Sequence, residues 1–162
     1  MPGLTDPFPA FQSFQRAYAA GQIELQRGRV DRNLYLHVDH PNGEPRFTYV
    51  RLAGQTVTVM AEFVRCDPVE GSPCLHVGYA VDPAHRRRGL AKSLLPAAIK
   101  ELQAGFGGAG YPGFYVEAIV GLDNIASQKV AAAGITPDMV EGTDHISGLP
   151  IYQYLKKFET VR

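Results

Sequence analysis

The chain lacks an excess of charge of either sign: 16 Lys and Arg stand against 16 Asp and Glu in 162 residues. A general nucleic-acid binder usually carries a basic excess, so no nucleic-acid partner is expected. No apolar run reaches membrane-spanning length, so no membrane partner is expected either. The first residues, MPGLTDPFPAF, have neither the charged start nor the long apolar core of a signal peptide, and a cytoplasmic location is the expectation. Cysteine is scarce. Cys66 and Cys74 flank the turn-like segment DPVEGSP and are expected to face each other across a hairpin as free thiols, since a reducing compartment disfavours a disulfide. Their spacing is no zinc pattern. His37, His40, His85 and His145 fall among turns with no His-Glu-x-x-His spacing, so no metal is expected. Repeats and dividing linkers are also missing. A chain of this length, 45% hydrophobic, can bury one core, and residues 1–162 read as a single domain.

What is present is concentrated in residues 74–95, CLHVGYAVDPAHRRRGLAKSLL. Leu75 to Val81 is rich in β-branched and aromatic residues and reads as a strand. Asp82-Pro83 ends it, because proline has no N–H for a ladder. A helix is expected from about Arg88 to 104, with Leu90, Leu94, Leu95, Ala98, Ile99 and Leu102 on one face. Pro96 inside it removes a backbone bond and predicts a kink. Gly89 leaves bare backbone at the helix start, where free amides point outward. That suits an anion, a phosphate above all.

Before this segment, residues 7–20 read as an amphipathic helix with Phe11, Phe14 and Tyr18 on the core side. Residues 22–32 are ambiguous. Strands follow at Leu34–Val38 and Phe47–Leu52, joined by the turn Pro41-Asn42-Gly43, and then at Gln55–Arg65, whose alternation predicts one buried face. With 75–81 they form an antiparallel meander of four strands. After the helix, Gly105 to Gly110 matches G-x-G-x-x-G. A dinucleotide fingerprint must follow a strand and open a helix, so this run reads as a flexible connection. Phe114–Val120 is an apolar strand carrying Glu117. A short helix, 125–133, ends at Gly134. Residues 135–150 read as irregular, and Ile151–Phe158 as a last strand.

Arg86-Arg87-Arg88-Gly89-Leu90-Ala91 resembles the Gln/Arg-x-x-Gly-x-Gly/Ala loop of the GNAT superfamily of N-acetyltransferases. Asn124-Ile125-Ala126-Ser127-Gln128-Lys129-Val130 through Gly134 is similar to a second stretch, Asn-x-x-Ser-x-x-Val-x-x-x-x-Gly. That stretch belongs to the branch that includes ribosomal-protein N-terminal acetyltransferases. The resemblance is firm over 55–134 and weak over 1–45. It implies an α/β (α+β) fold: a mixed, mostly antiparallel sheet flanked by helices, with a parallel strand pair splayed at a cofactor cleft. It also implies acetyl-CoA as co-substrate. Arg86, Arg87, Arg88, Gly89, Leu90 and Ala91 would hold the pyrophosphate, and Asn124 and Ser127 would lie beside the pantetheine. A backbone amide near Val81 would polarise the thioester carbonyl.

The implied reaction is acetyl transfer to a primary amine by direct attack in a ternary complex. The expected acceptor is a small-molecule or peptide amine, and a homodimer is open. An amine attacks only when neutral, which calls for a base. Glu117 is the first candidate, one side-chain repeat from the place where some members carry a glutamate, with Glu62 and His76 as others. His76 is expected to point away from the face of its neighbour Leu75. The tyrosine that many members carry seven residues after the Asn is Ala131 here, so Ser127 is the candidate partner of the departing sulfur. The missing tyrosine and unmatched base keep a non-catalytic acyl-CoA-binding or sensing module as the alternative. The front of the chain also departs from the family, with its helix ahead of the first strands, not between them.

Overall fold

The computed structural model describes residues 4–161. Helix α1 spans Phe8–Ala19 and is followed by a two-residue strand, β1, Gln26–Arg27. Strands β2 (Tyr35–Asp39), β3 (Arg46–Ala53), β4 (Thr56–Val69) and β5 (Ser72–Val81) then form the expected antiparallel meander. Helix α2 (Leu90–Gly108) leads to β6 (Gly113–Gly121), α3 (Ile125–Gly134), β7 (Val140–Thr143) and β8 (Pro150–Glu159). All eight strands lie in one sheet, ordered β1-β2-β3-β4-β5-β6-β8-β7. Its only parallel neighbours among the described residues are β5 and β6.

The turns follow their residue chemistry. Pro41-Asn42-Gly43 joins β2 to β3 with Asn42 and Gly43 at positive φ, and Glu70-Gly71, both left-handed, closes the β4–β5 hairpin. Cys66 and Cys74 are register partners across that hairpin, both as free thiols. Burial and the neighbouring Cys66 sulfur hold the Cys74 thiol far above its ordinary range, the sulfur contact first.

Helix α2 packs Leu94, Leu95, Ala98 and Leu102 on Val59, Ala61, Phe63, Leu75, Val77 and the inward residues of β6. Helix α1 covers the opposite face, where Phe11 is fully buried among Val50, Val57, Met60 and Ala80. So β4 is buried on both faces from Val57 to Ala61, and the expectation of one buried face fails there. Alternation could not show that a second helix covers the strand.

Two other expectations are corrected. Helix α2 starts at Leu90 and continues to Gly108, so the first part of the run 105–110 is helical. Gly107 is required by close approach: a Cβ would lie 1.9 Å from the Val161 carbonyl oxygen. The helix runs unbroken through Pro96, which leaves it short of one amide donor. The stretch 135–150 contains β7, an edge strand paired only with β8. The ambiguous segment after α1 is anchored to α2, where the buried Glu101 carboxylate accepts the amides of Arg29, Val30 and Asp31 at 2.7, 2.7 and 2.9 Å.

Candidate active site

Strands β5 and β6 stay paired for only three rungs, Cys74–Tyr115, Leu75–Val116 and His76–Glu117. Beyond His76 they diverge into a V-shaped cleft of about 180 Å³, lined from β5 by His76 to Val81 and from β6 by Ala118 to Val120. Arg86, Asn124 and Ser127 stand at its wider end. The Asp82 amide donates to the Thr58 carbonyl, 2.8 Å away on the β4 side. Because successive residues of a strand point their backbone groups to opposite edges, the amides of Val81, Tyr79 and Val77 point away from β4; that of Val77 closes the last rung on the Glu117 carbonyl, and those of Tyr79 and Val81 open into the cleft.

At the mouth, the chain turns through Pro83–His85 into α2. Asp82 organises this turn: its carboxylate accepts from the Ala84 amide at 3.2 Å and contacts His85 Nδ1 at 2.8 Å. Gln15 of α1 donates to the same carboxylate at 3.1 Å and to the Val57 carbonyl at 2.8 Å, tying α1 to the loop. Hydrogen bonds, from His85 first and Gln15 next, hold the Asp82 carboxyl below the usual carboxylate range. Arg87 (φ 64) and Gly89 (φ 70) are both left-handed. A non-glycine residue in that conformation is strained, and such strain concentrates at binding sites. The first helical bond is Ser93 N to Gly89 O at 3.0 Å. The amides from Arg87 to Lys92 donate to no acceptor among the described residues. This row of donors at the positive end of a 19-residue helix is an anion cradle. The side chains of Arg86, Arg87 and Arg88 are exposed around it, while Leu90 and Ala91 anchor it in the core. Arg86 donates to the Val81 carbonyl at 3.3 Å and stacks over the Phe8 ring, 5.3 Å from its centroid.

The second stretch opens α3. The Asn124 side-chain oxygen accepts the Ser127 amide at 3.1 Å, an N-cap bond that leaves its amide nitrogen free on the cleft side. Ser127 is engaged. Its hydroxyl donates to the Tyr79 phenol at 3.0 Å, and that phenol donates to the Ser127 carbonyl at 2.6 Å. The pair bridges the two arms of the V. Burial first, tempered by the Ser127 bond, pushes the Tyr79 phenol up to about 12, so it stays a donor at neutral pH.

The inner end of the cleft holds the other candidates. Glu117 is nearly sealed, 5% exposed, and does not line the cleft. Its two oxygens meet His76 Nδ1 at 3.2 Å and Gln153 Nε2 at 2.7 Å. Burial pushes its carboxyl up, but the His76 and Gln153 bonds outweigh that, and the net shift is downward. His76 does face away from Leu75, as expected, and that face is the one Glu117 shares. Glu62 lies opposite Gly78 on the same face but does not line the cleft, and burial raises its carboxyl. The structure thus brings His76, Val81, Arg86, Asn124 and Ser127 into one cleft, leaves Glu117 behind His76, and sets Glu62 aside. Sequence reasoning missed Tyr79, Gln153 and the segment Leu4–Phe8, which crosses the cleft wall. In that segment Pro7 lies against Gly78, and the Leu4 amide bonds Asp144 at 3.1 Å. No signal in one sequence gives the register that joins these distant residues.

The model of the GNAT acetyltransferase family matches residues 11–134, from α1 to the end of α3. The chain belongs to this family. The fold is shared with solved GNAT structures of low identity. An acetyltransferase of the GNAT family from Streptococcus pneumoniae is 14% identical with a TM-score of 0.52, over 70% of this chain and 66% of that one. RimJ of Mycobacterium smegmatis, solved in complex with CoA-disulfide, is 13% identical with a TM-score of 0.51, over 93% and 60%. The ribosomal-protein-S5-alanine acetyltransferase of Vibrio fischeri is 16% identical with a TM-score of 0.50, over 70% and 61%. The chain thus spans less than two thirds of each of those chains. Among curated proteins nothing matches. No helix among the described residues is long and apolar enough to cross a membrane.

Proposed function

We propose that this GNAT protein is an N-acetyltransferase that moves an acetyl group from acetyl-CoA to a primary amine. The observation that carries the reading is the row of unpartnered amides, Arg87 to Lys92, in the loop that follows β5, next to Arg86, which lines the splayed gap between β5 and β6. Few ligands need both a diphosphate cradle and a narrow slot with an edge of backbone donors. Acetyl-CoA does, and it supplies an activated acyl thioester.

The residues fit it group by group. The cradle and Arg86, Arg87 and Arg88 take the pyrophosphate charge, with the α2 dipole behind them. The β5 edge offers the amides of Tyr79 and Val81 to an amide-bearing arm laid in as an extra strand. One of them, assigned to Val81, donates to the thioester oxygen as charge develops there. Asn124 and Ser127 flank the arm from α3. Ser127 reaches sulfur only by releasing the Tyr79 phenol, so the two hydroxyls act as one unit. The amine enters from the side of α1 and the Leu4–Phe8 segment, opposite α2. Its identity, small molecule or peptide, is set by that face and not by the cradle.

The test is calorimetric titration of acetyl-CoA into the wild type and Gly89→Trp, followed by CoA-thiol release with a panel of amines. A Cβ at Gly89 meets open space, so the substitution spares the core while straining a left-handed position and filling the cradle. Micromolar binding by the wild type, lost in a folded variant, supports the cofactor site, and thiol release supports transfer. Absence of wild-type binding overturns the reading. Binding without release on any amine favours the non-catalytic module.

A further inference from the structure

We propose that His76 is the general base of the transfer, with Glu117 and Gln153 as its positioning residues. The inference rests on the transferase reading above and assigns the proton-handling group of that same cleft. Glu117 is the depressed carboxylate, so it accepts only. Gln153 gives it one N–H, and the other contact must then be His76 Nδ1–H. That fixes the tautomer of the neutral imidazole: Nδ1 carries the hydrogen and Nε2 the lone pair. Nε2 has no partner among the described residues, yet no unpartnered side-chain nitrogen or oxygen there is sealed from solvent. Since His76 lines the cleft, that lone pair is accessible at its inner end.

The placement follows from topology. His76–Glu117 is the last rung before the strands part, so the ring sits at the apex of the V, rigidly supported by a β ladder. The open edge runs outward from Gly78 to Val81, roughly 10 Å at the usual strand rise. The His76 ring acts through one water on an amine held opposite Tyr79; Val81 lies five residues, roughly 17 Å, along the strand, and an amine held there is reached only through a longer chain of waters. In the step, the amine nitrogen bonds to the acetyl carbon and the carbon–sulfur bond breaks. The proton shed by nitrogen goes to Nε2, and the CoA thiolate is protonated in turn, from Nε2 or from solvent. The rivals are worse placed: Glu117 has both oxygens occupied, and Glu62 lies outside the cleft.

The experiment combines a chemical and a kinetic readout on the full chain. Diethylpyrocarbonate attacks an unprotonated imidazole nitrogen, and peptide mass mapping locates each modified histidine. His76 is expected to be modified in the free protein and protected by acetyl-CoA. Glu117→Gln should reduce the reactivity by disturbing the tautomer, as read by 15N imidazole shifts. With propylamine as the probe acceptor, His76→Gln should lower kcat by about 10²- to 10⁴-fold and leave acetyl-CoA affinity unchanged. Added imidazole should restore part of the rate to His76→Gly. A His76 that stays unmodified while other histidines react overturns the inference, as does wild-type kcat in His76→Gln. If acetyl-CoA fails to bind the wild type at all, the transferase reading itself fails, which calorimetry registers separately.

Discussion

The two faces of the sheet differ in what they bury. The face under α2 and α3 is filled by Phe63, Leu75, Leu94, Leu95, Leu102, Phe114 and Val116, all essentially inaccessible. The face under α1 has a small apolar patch around Phe11 and then turns polar. Asp39, Arg46, Glu62, His76, Glu117 and Gln153 lie there on successive strands, with Arg46 paired to Asp39. Polar groups at that depth contribute little net stability even when satisfied. The division separates dense apolar packing on the α2 face from buried polar groups on the α1 face, with β5 contributing alternate residues to both.

The largest effect is expected from Leu94→Ala. It empties a site with no solvent access and should cost about 2–5 kcal/mol in urea unfolding. Acetyl-CoA affinity of the molecules that remain folded should not change. A variant that keeps its stability would break the comparison.

Next is the acid limb of stability. Asp144 accepts from the Ser147 hydroxyl and amide and from the Leu4 amide, and these bonds, the hydroxyl first, hold its carboxyl down to about 2. A depressed folded value means its contribution is complete above the unfolded value near ~3.9 and disappears as pH falls through the folded one. Thermal melts between pH 5 and pH 2, chosen to bracket those values, should fall less steeply for Asp144→Asn than for wild type, from a lower neutral starting point. Parallel curves would remove Asp144 from the account.

A smaller change is expected for Gln15→Ala. Losing the bonds to Val57 and Asp82 should cost about 1 kcal/mol and weaken acetyl-CoA binding modestly, because the loop loses its tie to α1. The smallest is Arg87→Gly. It relieves a left-handed strain but frees the unfolded chain, so stability should stay within about 1 kcal/mol of wild type. Affinity should drop with the lost charge, and more steeply at low salt.

The α2 face was legible in the sequence because it is local. Strand period, helical spacing and the Arg86–Ala91 loop each lie within one short window, and the strand–turn–helix reading of 74–95 survives with small shifts of boundary. The cleft itself was legible through resemblance. The α1 face was not. That His76 rather than Leu75 stands beside Glu117 depends on a parallel register between strands 41 residues apart. The burial of Met60 depends on a helix 49 residues upstream of it, at Phe11. Gly107 was misread because its reason is the backbone of Val161 packed against α2, not a turn.

The most direct test of the central claim is a backbone-amide NMR titration with acetyl-CoA. The account predicts saturable shifts concentrated in residues 77–92 and 118–127, with the free amides from Arg87 to Lys92 moving most. Shifts confined to the aromatic cleft around Phe47, Phe106 and Tyr111, or no saturable shifts, would contradict it.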